Sequence, residues 1–415
     1  MKRYARRTLF ALLLTIIYML WHPDPTRKEL QVDALWALHL PRAVAAAATA
    51  DDAATADDAA SATGSDAGGA RSGHSDAAMS VSQPAGLLPV STDEVFAYLD
   101  GRGQVTHHGR VAHRVALSRS GFINHGRTPG QLIVQAPDGS FRASIPLAGY
   151  PVFARERIFV VSAAGGTLSE WTMDGERRWQ MDLPAPLVAL SADSDRVGLG
   201  VLAGDPLLLD GTGTLVELQR AAVTRNPLAL DVDLSDRVPR FAAMTSAGRD
   251  QTVERFGAAL VTLYDLSGDV AVPIVRSTIE RSTSDPPVVR LLDGGEVLLY
   301  SAAVRQSETE RARSRYIAVA LEVESGADSV IPLDYPLQQV EELDSPVLRV
   351  ALTASSQRDP ARGFARPAAL VLFSREAVVP LRSSWAADVS DLAVWDGVVV
   401  LRLDDRILAW TPGVR

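Results

Sequence analysis

The chain has 415 residues, 47% of them hydrophobic and 22% charged, which is a globular composition too long for one ordinary core. Its 50 acidic against 41 basic residues give a formal net charge of −9, which argues against nucleic acid as a partner, because phosphate binding needs a dominant basic face. Cysteine is absent, so disulfides, thiolate metal sites and a cysteine nucleophile are excluded.

The N-terminus reads as an export signal. Lys2, Arg3, Arg6 and Arg7 form a basic head, and the uncharged run "TLFALLLTIIYMLW" follows. No small-x-small cleavage site comes soon after it. Residues 1–22 are therefore expected to be a signal anchor in a bacterial inner membrane, with cleavage as the alternative and the remainder outside the cytoplasm by the positive-inside rule. Residues 23–85 are expected to form a flexible linker. From residue 43 the segment is built mainly of Ala, Asp, Ser, Gly and Thr, with "TADDAA" repeated at 49–54 and 55–60, and it holds too little apolar surface to offset its ordering entropy.

Beyond residue 86 the pattern changes to short apolar runs separated by turn residues, the pattern of an all-β fold. The turns recur. Turn glycines stand at Gly101, Gly139, Gly175 and Gly211, separated by 38, 36 and 36 residues. Gly268 and Gly326 continue the series after gaps of 57 and 58, which imply inserted loops, and "FSREAVV" near Arg375 is a version without glycine. A period near 40 residues with four strands per unit predicts a β-propeller over 86–415. Each Asp-Gly pair is expected to sit in a two-residue turn joining a unit's third and fourth strands. Complete units begin near His113, Tyr150, Leu187, Leu228, Pro287 and Asp344. The C-terminal unit lacks an outer strand, and the leading "VFAYLDGRGQVTHHG" lacks inner ones. Joining these two fragments into one blade predicts seven blades closed by "QVTHHG" beside "RILAW"; eight blades is the alternative.

The stretch "LSEWTMDGERRWQM" at 168–181, with Trp179 four residues after Gly175, resembles the repeat of PQQ-like (quinoprotein-type) propellers. The chain as a whole is similar to membrane-anchored extracytoplasmic propellers of bacteria, a group that includes outer-membrane assembly scaffolds. That resemblance implies a propeller facing the periplasm. It does not extend to quinone chemistry, since the vicinal disulfide of the alcohol-oxidising members has no counterpart and no compact calcium ligand set is visible.

No catalytic, cofactor-binding or metal residues are assigned. His107, His108, His113 and His125 lie close in sequence, but neighbours on a strand face opposite ways, so they are read as surface or capping side chains. No G-x-S-x-G elbow occurs, and Asp100, Asp138, Asp174 and Asp210 are explained by the turns they precede. The chosen partner-binding loops are 305–319 and 355–368, with Arg305, Arg311, Arg313, Arg358 and Arg362, because rigid scaffolds concentrate binding on loops and arginine favours acidic partners. The expected function is a monomeric, non-catalytic interaction scaffold for another envelope protein or peptide. The alternative is a glycosidase- or lactonase-like enzyme working in the central channel.

Overall fold

The computed structural model describes residues 36–39, 86–127, 130–219, 228–235, 237–246, 256–282, 285–304, 315–343, 349–354, 368–373, 378–381, 389–395, 398–403 and 406–410. Within them the strands form eight antiparallel sheets, seven of four strands and one of three. We number these blades I to VIII from the three-stranded one. Blade I spans 88–110, blade II 114–145, blade III 149–182, blade IV 187–216, blade V 229–282, blade VI 289–333 and blade VII 337–381. Blade VIII consists of Val389–Trp395, Val398–Leu403 and Arg406–Trp410 together with Trp36–His39.

Apolar residues from the facing sheets of neighbouring blades make the core. Each of the eight seams carries one such cluster. At the seam that closes the ring, Leu88, Val90, Ala97 and Leu99 of blade I pack with Val398, Val400, Ile407 and Ala409 of blade VIII. First strands of successive blades also pack on one another, as Leu187–Ala192 does on Ala229–Leu234, and this defines the inner ring.

Seven blades is therefore corrected to eight. The leading hairpin, Val95–Leu99 with Val105–Arg110, pairs not with the C-terminal unit but with Leu88–Ser91, a run whose proline hid it as a strand. "RILAW" takes its outer partner from Trp36–His39, with Trp36 opposite Ala409 and His39 opposite Arg406. That pairing strand lies inside the stretch expected to be linker, and no turn glycine flags it. Other unit starts agree closely with the strands, except that blade VII begins at Leu337–Glu342 rather than near Asp344.

The recurrent turns differ in kind from the expected two-residue type. In blade III, Gly175 N–H donates to the Thr172 carbonyl and Thr172 N–H to that of Glu176, so Met173-Asp174-Gly175 is a three-residue loop. Its last residue needs the left-handed region, and Gly175 has φ +80°. In blades I and IV that position belongs to Gly103 and Gly213 rather than Gly101 and Gly211. There the aspartates act as caps: Asp100 accepts N–H bonds from Arg102 and Gln104, and Asp210 from Thr212 and Thr214.

Candidate functional site

The inner strands of blades V and VI bring two aspartates and an arginine together. Asp231 and Asp233, two apart on the first strand of blade V, share one face and reach across to blade VI. Oδ2 of Asp231 accepts the Val289 N–H at 2.9 Å and an Arg290 guanidinium N–H at 3.0 Å. Asp233 accepts the Leu291 N–H at 2.8 Å through Oδ2 and the Ser191 hydroxyl at 3.0 Å through Oδ1, which ties in blade IV. Burial pushes the Asp231 carboxyl up to about 6 against the opposing pull of Arg290 and the Val289 N–H. Burial raises Asp233 too. Burial would lower Arg290, but the two aspartates hold it above its ordinary value.

Other seams repeat this use of side chains as substitutes for strand pairing. Glu156 of blade III accepts the N–H groups of Arg119 and Ser120 of blade II; burial opposes its ionisation, but these bonds keep its carboxyl below the usual range. Arg157 donates to the carbonyls of Asp193 and Arg196 in blade IV at 2.8 and 3.0 Å. It also pairs with fully buried Glu170 at 2.6 Å, and Arg178 reaches the same carboxylate at 3.0 Å. Gln339 of blade VII bonds both the carbonyl and the N–H of Leu392 in blade VIII. These side chains satisfy backbone groups of a neighbouring blade, at the turns that follow inner strands and, for Gln339, on an inner strand itself.

The histidines spread over two blades and serve packing. His107 stacks on Phe122 with ring centroids 5.6 Å apart, and buried His125 makes a 2.9 Å bond to the Gly126 carbonyl and lies edge-on to Tyr150. No group of three or more metal-ligating side chains occurs among the described residues. Trp179, which carried the family resemblance, is buried in the seam of blades III and IV against Phe159. Arg305, Arg311, Arg313, Arg358 and Arg362 lie outside the described residues, as do the expected anchor 1–22 and all of 23–85 except Trp36–His39. Among the described residues no helix is long and apolar enough to cross a membrane.

One cavity of about 230 Å³ opens at the closing seam, lined by Leu88–Ser91, by Val115 and Leu117 of blade II, and by blade VIII residues that include Ala393 and Arg402. Sequence reasoning missed both this cavity and the Asp231–Arg290 cluster. A signal for the latter was present in "LDVDLSD", where acids alternate along a strand that should have been apolar.

Comparison with known proteins agrees with this geometry. A family model described as "beta-propeller protein" matches residues 2–235. The computationally designed Ika8 protein is similar with a TM-score of 0.54 at 12% identity, over 78% of this chain and 93% of that one. BamB from Moraxella catarrhalis is similar with a TM-score of 0.50 at 13% identity, over 79% of this chain and 94% of that one. At such identities the likeness is one of fold. No curated protein matches the sequence.

Proposed function

Because the chain belongs to the beta-propeller protein family, we propose that it is a non-catalytic interaction scaffold of the bacterial envelope, anchored in the inner membrane with its ring outside the cytoplasm. One observation carries the scaffold reading. The buried carboxylates Glu170, Asp231 and Asp233 are spent on guanidinium and backbone N–H groups of adjoining strands and blades, which makes them structural. A rigid ring then offers its loops to partners. The arginine-rich segments 305–319 and 355–368 suit an acidic envelope protein or peptide. The tryptophan-bearing hairpin at 168–181 supports kinship with PQQ-like propellers, used here for architecture rather than for quinone chemistry.

The basic head and apolar run at the N-terminus support the membrane location. With Trp36–His39 built into blade VIII, residues 23–35 would be the link from anchor to ring, reaching roughly 45 Å when fully extended.

In-cell crosslinking followed by partner identification tests this reading. Replacing Arg311, Arg313, Arg358 and Arg362 by Ser should abolish the crosslinked product while changing stability by no more than about 0.5 kcal/mol per site. An unchanged crosslinking pattern removes these loops from the interface. Turnover of a sugar or lactone by the purified ring would overturn the scaffold reading itself.

A further inference from the structure

The two mouths of the ring differ in chemistry at blades II to IV. The turns after inner strands and the glycine loops after third strands gather at one mouth, where Asp138, Arg155, Glu156, Asp174, Asp195 and Asp210 stand. Links into inner strands and loops from second to third strands gather at the other. The parts of blades III and IV that reach this second mouth belong to the segments 143–154, 158–169, 183–192 and 197–204, which contain no charged residue in a chain that is 22% charged. Tyr150, Val188 and Leu202 are 41, 47 and 50% exposed there. They lie at one level. Tyr150 is opposite Val161 in its sheet, and Val161 joins Leu187 and Val201 in the seam between the two blades. The register slips between Leu187 and Ala189, and that bulge turns Val188 out. Leu202 is held beside it, its N–H donating to the Pro186 carbonyl at 2.8 Å.

A basic border adjoins this apolar floor. Residues 101–137 hold five arginines, four histidines and no acid, although the whole chain carries a net charge of −9. Three of those arginines, Arg110, Arg114 and Arg127, are exposed at the same mouth. Asn124 fixes the first of them in place: its side-chain N–H donates to the Arg110 carbonyl at 2.7 Å, and its oxygen accepts the Ala112 N–H at 2.9 Å. A file of rings then leads from border to floor, with His113 6.5 Å from His125 and His125 6.3 Å from Tyr150. Asp93 and Glu94 of blade I and Asp205 of blade IV stand on either side of it.

Exposed apolar side chains grouped beside a charged border mark an interaction site rather than ordinary surface. Charge complementarity calls for acidic groups on the partner. A lipid headgroup would offer the same charge, but the chain's path disfavours it. Arg406–Trp410 runs away from this mouth, and Trp36 pairs with Ala409 near its far end, so the chain enters the ring at the opposite, charged mouth. Under the anchored-scaffold reading, on which this inference rests, the uncharged mouth therefore points away from the membrane. We propose that the face running from Arg114 and Arg127 across Tyr150 to Val188 and Leu202 is where the scaffold holds its partner, and that the partner presents a peptide segment of apolar side chains flanked by aspartate or glutamate.

The test applies the full-length chain, held in nanodiscs of zwitterionic lipid, to an array of short peptides. Retention is expected on members that combine leucine or phenylalanine with glutamate or aspartate. Members with lysine in place of the acid, or serine in place of the apolar residue, should not retain it. Val188→Ser with Leu202→Ser should weaken retention by roughly tenfold, and Arg114→Ser with Arg127→Ser by roughly fivefold, the latter loss reproduced by raised salt. Val330→Ser, exposed on the outer strand of blade VI, should change nothing, and unchanged melting midpoints check that every variant folds. Retention indifferent to charge or to apolar content, or unaltered by the Val188 and Leu202 pair, overturns the proposal. Sedimentation with phosphatidylglycerol vesicles in the absence of any peptide preference would give the face to a membrane and overturn it as well. In-cell crosslinking separates this proposal from the scaffold reading. A crosslink that survives in these variants refutes the face and leaves the scaffold, whereas no crosslink even in the parent chain refutes the scaffold.

Discussion

Replacing Glu170 by Ala tests how much a buried charge pair inside blade III contributes to stability. The Glu170 side chain is 1% exposed and Arg157 is 10% exposed, so the pair sits outside the reach of solvent screening. Removing one partner of such a pair costs about 3–5 kcal/mol, because the other charge is left buried. Arg157 keeps its bonds to the Asp193 and Arg196 carbonyls, which places the expected cost near the lower end, about 3 kcal/mol. For a chain of this size that lowers the thermal midpoint by roughly 4 °C. Arg178 supplies an internal control. It binds the same carboxylate but is 50% exposed, so Arg178→Ala should cost less than about 1 kcal/mol. Circular dichroism melts of the soluble ring would measure both variants. If Glu170→Ala moves the midpoint no further than Arg178→Ala does, burial is not what makes this pair matter.

The remaining predictions concern pH, closure and turns. Asp231 titrates near 6 in the folded chain and near 4 when unfolded, so the native state takes up its proton first and this group adds stability as pH falls from 7 toward 4. Melting midpoints across that range should rise more on acidification in the parent chain than in Asp231→Asn; parallel profiles would refute the assignment. A chain starting at residue 86 loses Trp36–His39 and exposes the edge of Arg406–Trp410, so it should aggregate or melt earlier than one starting at residue 33. Identical melting and monomeric behaviour by light scattering would show that this strand is dispensable. Gly213→Ala places a Cβ at φ +81°, 2.6 Å from Trp179 ring carbons, and should cost about 1–3 kcal/mol in a denaturant titration, whereas Gly204→Ala should cost only its positive φ, because nothing lies within 4 Å.

Sequence alone determined most of the strands and the repeat, because both are local. Alternating apolar residues and glycines that tolerate positive φ leave a periodic mark at Gly139 and Gly175 whatever the surrounding fold does. The same locality revealed the second strands of the blades, such as Arg157–Ser162 and Val398–Leu403, as apolar runs. Only the tertiary structure decided the blade count. Two incomplete ends are equally consistent with one shared blade or with two, and the choice depends on which edge Arg406–Trp410 pairs with across more than 360 residues. Trp36–His39 forms a strand because that edge is vacant, and four residues carry too little propensity to announce themselves without it. The buried acids follow the same logic. Asp231 and Asp233 look like solvated strand residues until the neighbouring blade brings unpaired N–H groups and Arg290 within 3.0 Å, and sequence spacing holds no record of that neighbour.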